Sequence, residues 1–229
     1  MTTILALETS RSLCSVALRH NAELFEDTRK VERLHNEVVL GMVDELFDRA
    51  GVAAGTLDVV AFGAGPGSFT GVRIAAAVAQ GIAFGSGSQI VPVPSSLATA
   101  HGAMARLEPA PSRLLTMTRS HRDAYYLAGY EVHAGVLELS MADVLCTDWP
   151  AAVLHSSWVA VGDKPPWWER REAAEGQNQT LKWGGEVDLT AALIAELALR
   201  IHADGAALDP AAGLPIYVGG DSPWRKDEV

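Results

Sequence analysis

The stretch Leu57–Phe84, LDVVAFGAGPGSFTGVRIAAAVAQGIAF, constrains the fold of this chain more than any other. Val59, Val60, Ala61 and Phe62 are consecutive and apolar, as in a strand covered on both faces. The backbone must then turn sharply. Gly63, Gly65 and Gly67 supply dihedrals that other residues resist, and Pro66 fixes one of them. Ser68 or Thr70 caps the helix that follows by accepting from an orphan backbone N–H. From Val72 to Phe84 this helix carries one charge, Arg73, and one amide, Gln80. A helix so nearly apolar all round is covered on two sides. A glycine-rich turn into a helix is also a way to cradle phosphate. The closing Lys-Ser/Thr of a P-loop is absent, since Gly71 is followed by Val72 and Arg73, and Ser68 stands where a dinucleotide fingerprint has its third glycine. Tight strand–helix packing is the favoured reading, with a phosphate cradle as its alternative.

An earlier helix is read from about Glu32 to Ala50, closed by Gly51 at the position that favours a left-handed residue. Its apolar residues Leu34, Val38, Val39, Leu40, Met42, Val43, Leu46 and Phe47 cover an arc of about 240°, against the roughly 100° that a core-facing stripe needs. The glycine-turn helix adds small residues, Ala75, Ala76, Ala77, Ala79, Gly81 and Ala83, which let helix backbones approach closely. Two neighbouring helices with surplus apolar surface predict an interface with another protein, or else a cover from the second half of the chain. The candidate interface residues are Leu34, Val38, Val39, Met42, Val43 and Leu46 on the first helix and Val72, Ala75, Ala76, Ala79 and Ala83 on the second. Aspartate at Val39 or Ala76 is expected to abolish association and leave the monomer folded.

A formal net charge of −10 excludes spreading along a nucleic-acid backbone by counterion release. The basic clusters Arg29-Lys30, Arg33, Arg170-Arg171 and Arg225-Lys226 are short and mixed with acids. Two cysteines, Cys14 and Cys146, give no metal or redox spacing. The start MTTILALETS lacks the charged region of a signal peptide, and no apolar run reaches about 18 residues, so a cytoplasmic protein away from the membrane is expected.

The remaining pattern is α/β. Strands are read at Ile4–Glu8, Leu13–Arg19 and Glu23–Thr28, then at Gln89–Pro94, with a helix over Leu97–Leu107. The break Glu108-Pro109-Ala110-Pro111-Ser112 divides a first unit, 1–108, from a second, 109–229. The second unit reads as strands at Arg113–Thr118, Ala124–Val132, Val136–Ser140 and Trp158–Val161, a short polar helix ending at Glu175, a loop over Gly176–Gly185 and a final helix, Ala191–Ala203, that can pack back on the first unit. The tail to Val229 reads as loose.

The motif GAGPGSFTGVRIAAAVAQGIAF resembles the signature of the TsaB (YeaZ) family, the inactive relatives of the TsaD/Kae1 proteins, and the likeness is best over residues 3 to 100. Asp123-Ala124-Tyr125-Tyr126, Gly162-Asp163-Lys164 and the Pro215-Ile216-Tyr217 end are similar to later family features. Thr118-Arg119-Ser120 departs from an Asp-Ala-Arg-like turn, and Gly219-Gly220 replaces an arginine. The resemblance implies an actin/Hsp70/sugar-kinase-like α/β fold with two subdomains, with which an opening three-strand meander agrees. It implies a non-catalytic scaffold, required with TsaD and TsaE for N6-threonylcarbamoyladenosine formation at position 37 of tRNAs that read codons beginning with A. TsaD would dock on the helices 32–50 and 72–84, TsaE would join the complex, and tRNA would be reached only through it. Alone, the same surface would pair with a second copy. Catalytic relatives bind metal through two histidines four apart. Here Ala105 stands four residues after His101, so no metal, catalytic residue or cofactor is expected on the isolated chain, with ATP or ADP admitted only at the joint surface.

The rival class is an active ATP-dependent phosphotransferase of the sugar-kinase type. Its members carry an aspartate and a glycine in the first hairpin, where this chain has Glu8 and Ser10. Glu8 would have to hold Mg²⁺, and the Ser10–Ser12 turn would have to admit phosphates. A kinase-like reading of His121-Arg122-Asp123 lacks its asparagine, replaced by Leu127, and no Ser/His/Asp arrangement supports a peptidase.

Overall fold

A computed structural model describes residues 2–31, 34–121, 123–154, 156–169 and 181–219. The chain builds two five-stranded sheets on one plan. The first contains β1 (Ile4–Glu8), β2 (Leu13–His20), β3 (Glu23–Lys30), β4 (Val59–Gly63) and β5 (Gln89–Val93), in the order β3-β2-β1-β4-β5. The second contains β6 (Arg113–Arg119), β7 (Tyr125–His133), β8 (Val136–Cys146), β9 (Trp158–Gly162) and β10 (Leu181–Gly185), in the order β10-β9-β6-β7-β8. In each, the first three strands form an antiparallel meander, and the fourth and fifth add in parallel beside the first. The two halves therefore share one topology without an evident sequence repeat, which is the duplicated actin/Hsp70/sugar-kinase-like plan.

Five layers result. Helices α1 (His35–Ala50) and α2 (Phe69–Ser86) cover one face of the first sheet, on Leu5, Leu7, Val16, Leu18, Val60 and Phe62. Its other face, Ile4, Ala6, Ala17, Val59, Ala61 and Val91, is covered by α3 (Ser95–Met104) and α5 (Ala191–Ala203). The far side of α3 packs on the second sheet through Ala100 and Ala103 against Leu114, Ala128 and Tyr130. A helix pressed between two sheets has no room for large side chains. This accounts for Ser95, Ser96, Ala98, Thr99, Ala100, Gly102 and Ala103, all buried. The outermost layer, with the short α4 (Ala151–Leu154), is aromatic: Trp149, Trp167 and Trp168 meet edge to face over Leu115, Met117 and Leu127.

Several boundaries differ from the sequence reading. α1 begins at His35, and Glu32 and Arg33 lie outside the described residues. α2 is longer at both ends than Val72–Phe84. β8 runs to Cys146 rather than Ser140 because β7 offers it a full antiparallel edge. The loop read over Gly176–Gly185 ends in β10, whose Trp183 packs on Trp168 while its backbone pairs with β9. The helix read to Glu175 and the tail Gly220–Val229 fall outside the described residues beyond Glu169 and Gly219. The first lobe is completed by the chain's end: α5 lies on it, and Leu208 pairs with Ile90 at its edge.

Candidate docking face and closed interlobe cleft

The glycine turn is tied on several sides, and four of its amides donate within the chain: Ala64 N donates to Val93 O at 2.8 Å. Gly65 N donates to Ser95 Oγ at 3.1 Å, Ser68 N to Ser10 O at 2.8 Å, and Gly71 N to the capping Ser68 Oγ at 3.3 Å. Ala64 O accepts from Ile216 N of the C-terminal segment at 2.8 Å. These amides serve packing and are not free to cradle phosphate. Of the three glycines read as dihedral switches, only Gly65 needs one, with φ +96. Gly63 and Gly67 are small for a different reason. A Cβ on Gly63 would sit 1.8 Å from Glu8 Oε2, and one on Gly67 2.8 Å from Ser10 Cβ. Thr70 is an exposed residue in the first turn of α2 and does not cap it.

Glu8 lies beneath this turn, fully buried. Its Oε1 accepts from Ser10 N, and its Oε2 is buried without a partner among the described residues. Burial pushes its carboxyl above the usual range, against the Ser10 hydrogen bonds and the Arg11 charge that pull it down. Arg11 closes the cleft between the lobes. Its Nη2 donates to Thr118 Oγ1 at 2.8 Å and Thr99 Oγ1 at 3.1 Å, its Nη1 donates to Val187 O at 3.3 Å, and Asp163 Oδ1 lies 3.9 Å away. One side chain from the first hairpin thus holds α3, β6 and the segment before α5, with 13% of its side-chain surface exposed. Thr118, which opens the turn Thr118-Arg119-Ser120, is the nearest of the three groups to which this arginine donates. Arg11→Met is expected to destabilise the chain by about 2 kcal/mol, because it removes three hydrogen bonds to a charged donor while leaving the stem packed. Urea unfolding measures it, with faster amide exchange at Thr9–Ser12 as the local sign.

The outer side of α1 and α2 is where the sequence reading needs correction. Val39, Met42, Val43 and Leu46 of α1 and Val72, Ala75, Ala76, Ala79 and Ala83 of α2 are buried against their own sheet. They are core, and aspartate at Val39 or Ala76 would attack the fold before any interface. Leu34, 46% exposed, and the half-buried Val38 do reach outward. The rest of the outward face includes residues outside the candidate interface list: Leu40 and Gly41 on α1, and on α2 Ile74, Val78, Ile82 and Gly85 together with Ala77 and Gly81, which the sequence reading named only as small residues. A Cβ built on Gly41, Gly81 or Gly85 meets nothing within 4 Å. The face is thus open: small and apolar along α2, while on α1 the acidic Glu37, Asp44, Glu45 and Asp48 stand exposed around Gly41. The signal was in the sequence as the complement of the buried arc: once Val39, Met42 and Val43 are turned inward, the helical period turns Gly41 and Val38 outward. Beside this face opens a cavity of about 790 Å³ lined by Arg11, His35, Asn36, Ser68, Thr70 and Gly71.

On the far side of α3, Ser96 Oγ donates to Asp143 Oδ2 at 2.8 Å and meets Tyr130 Oη at 2.9 Å. Burial pushes the Asp143 carboxyl from 3.8 up to about 6. Its ionisation therefore opposes folding. The contribution is fully present below about pH 4 and is lost as pH rises through about 6. Relative to Asp143→Asn, the unaltered chain is expected to lose about 1–2 kcal/mol of urea-unfolding stability between pH 4.5 and 7.5. Among the described residues, no cluster of three or more His, Cys, Asp or Glu is gathered as a metal site, and no helix is long and apolar enough to cross a membrane. His101 instead pairs with Glu196 at 2.9 Å.

Two lobes of one topology, a first hairpin pinned into the cleft between them and an open helical face on the first lobe define a protein of the actin/Hsp70/sugar-kinase class whose cleft is closed. A family model described as TsaD: tRNA N6-adenosine threonylcarbamoyltransferase matches residues 28–160. A solved structure of YeaZ from Pseudomonas aeruginosa superposes with a TM-score of 0.79 at 30% identity, covering 95% of this chain and all of that one. The TsaB protein of Escherichia coli K12, described as a tRNA threonylcarbamoyladenosine biosynthesis protein, is 27% identical over 97% of both chains. That of Haemophilus influenzae is 43% identical over 101 residues, which are 44% of this chain and 43% of the relative. The chain belongs to the TsaB (YeaZ) family.

Proposed function

We propose that this chain is the non-catalytic scaffold of tRNA threonylcarbamoyladenosine synthesis, docking TsaD on the outward face of α1 and α2. The observation that carries the reading is that face: apolar along α2, with glycines on both helices that allow close helix approach, and left uncovered by the rest of the described chain. TsaD, built on a related fold, offers a matching helix pair, and the two pairs form a four-helix bundle. In its absence the face pairs with a second copy of this chain. TsaE joins the assembly, which works in the cytoplasm on tRNAs reading A-starting codons, and the acidic chain meets tRNA only through its partners. The chain holds no cofactor by itself. ATP or ADP binds only at the joint surface, a reading supported by the 790 Å³ cavity beside the docking face, with Arg11 and the start of α2 in its wall.

The buried Glu8 and the pinned Arg11 weigh against an independent phosphotransferase, because the carboxylate such an enzyme would turn to Mg²⁺ is buried and the arginine of the first hairpin is held by Thr99, Thr118 and Val187. The test is reconstitution. TsaD, TsaE and the synthesis of threonylcarbamoyl-AMP are combined with tRNA, with and without this chain. Modified nucleoside is expected only when the chain is present. Equal yield without it, or tight stoichiometric binding of ATP and Mg²⁺ by the chain alone in calorimetry, would overturn the reading.

A further inference from the structure

A second cavity, of about 460 Å³, lies between the start of α3, strands β7 and β8, and the segment 216–219. Its size is that of small-molecule sites. Its wall is apolar, with Leu97 from the first lobe, Leu137 and Leu139 from the second and Ile216 from the C-terminal segment, and Leu139 and Ile216 keep open surface there. One acid interrupts this wall. Asp143 accepts from Ser96 Oγ, and no Lys, Arg or His among the described residues pairs with it. Tyr130, the titratable neighbour, presents a neutral hydroxyl whose own ionisation burial suppresses. A largely buried carboxylate with no counter-charge is costly, and a cation that enters beside it recovers part of that cost. A metal ion would need more oxygen ligands than one carboxylate and a hydroxyl pair supply. We propose that this cavity binds a primary amine carrying an aromatic or branched apolar body, the ammonium on Asp143 and the body against Leu97, Leu137 and Ile216. Charge at Asp143 rejects the corresponding acids, and the apolar wall rejects short hydrophilic amines. The inference does not rest on TsaD docking, since it is argued from Asp143 and the apolar wall around it.

The test is an amide NMR titration of the full chain at pH 7.5 with tryptamine and, as the charge-reversed probe of the same ring, indole-3-propionate. Tryptamine is expected to give saturable shifts at Tyr130, Leu137 and Ile216, and indole-3-propionate none. Asp143→Asn is expected to weaken tryptamine binding about tenfold or more, the loss of one charge-assisted contact. Ala142→Trp, an exposed lining position that leaves the core untouched, is expected to block it. Absence of saturation with tryptamine, equal binding of the acid, or undiminished binding by either folded variant would overturn the proposal.

Discussion

Replacing Ala77 by aspartate is expected to reduce association with TsaD more than about a hundredfold while leaving the stability of the isolated chain within about 0.5 kcal/mol. The two halves of this expectation come from one fact. Ala77 is exposed on the outward side of α2, so a carboxylate there stays in water in the free chain. In the complex it would be pressed between helices with no cation opposite, and an unpaired charge buried in an interface costs several kcal/mol. Val39→Asp supplies the contrast. Val39 is fully buried between α1 and the sheet, so its aspartate is expected to unfold the chain rather than detach it. Urea unfolding of each variant alone, followed by size-exclusion chromatography with TsaD, separates the effects. Normal co-elution of Ala77→Asp would count against the docking face.

Gly71→Ala is expected to destabilise the chain by about 3 kcal/mol or more, a large effect for the addition of one methyl group. A Cβ at this position would sit 2.0 Å from the carbonyl oxygen of Thr9, and both partners are backbone, so no side chain can swing aside. The same contact is sewn shut by Thr9 Oγ1 donating to Gly71 O at 2.7 Å. Any shift of α2 to admit the methyl would pull on the hairpin that carries Arg11 into the cleft. Thermal and urea unfolding measure the loss. A variant as stable as the parent would mean that hairpin and helix are not rigidly joined. Gly81→Ala, where nothing lies within 4 Å, is expected to leave the fold intact and serves as the control.

The fold was legible where the pattern was local. The apolar run Val59–Phe62 appears as read, the helix is capped by Ser68, one of the two residues read for it, and the glycine turn is in place although only Gly65 needs the dihedral freedom read for three glycines. The excess of apolar surface on α1 was legible as well, but its division between core and exterior was not. An arc of about 240° does not say which part meets the sheet. That is fixed by β1, β2 and β4, whose side chains come from distant sequence. The same limit hid Arg11. In sequence it is one polar residue in a turn, and its partners Thr99, Thr118 and Val187 are 88, 107 and 176 positions away. Asp143 was equally invisible, since only the pairing of β8 with β7 and the approach of α3 bury it. The one β10 strand read as loop has no apolar alternation of its own and exists because β9 offers it a parallel edge.

The central claim is that the outer side of α1 and α2 is covered by a partner. Hydrogen–deuterium exchange of this chain, free and mixed with TsaD, tests it most directly. The account predicts added protection in peptides spanning Leu34–Gly41 and Thr70–Gly85, with β8 and the segment Leu214–Gly219 unchanged. Protection that falls on β8 or on the C-terminal segment, with both helices exchanging as in the free chain, would contradict it.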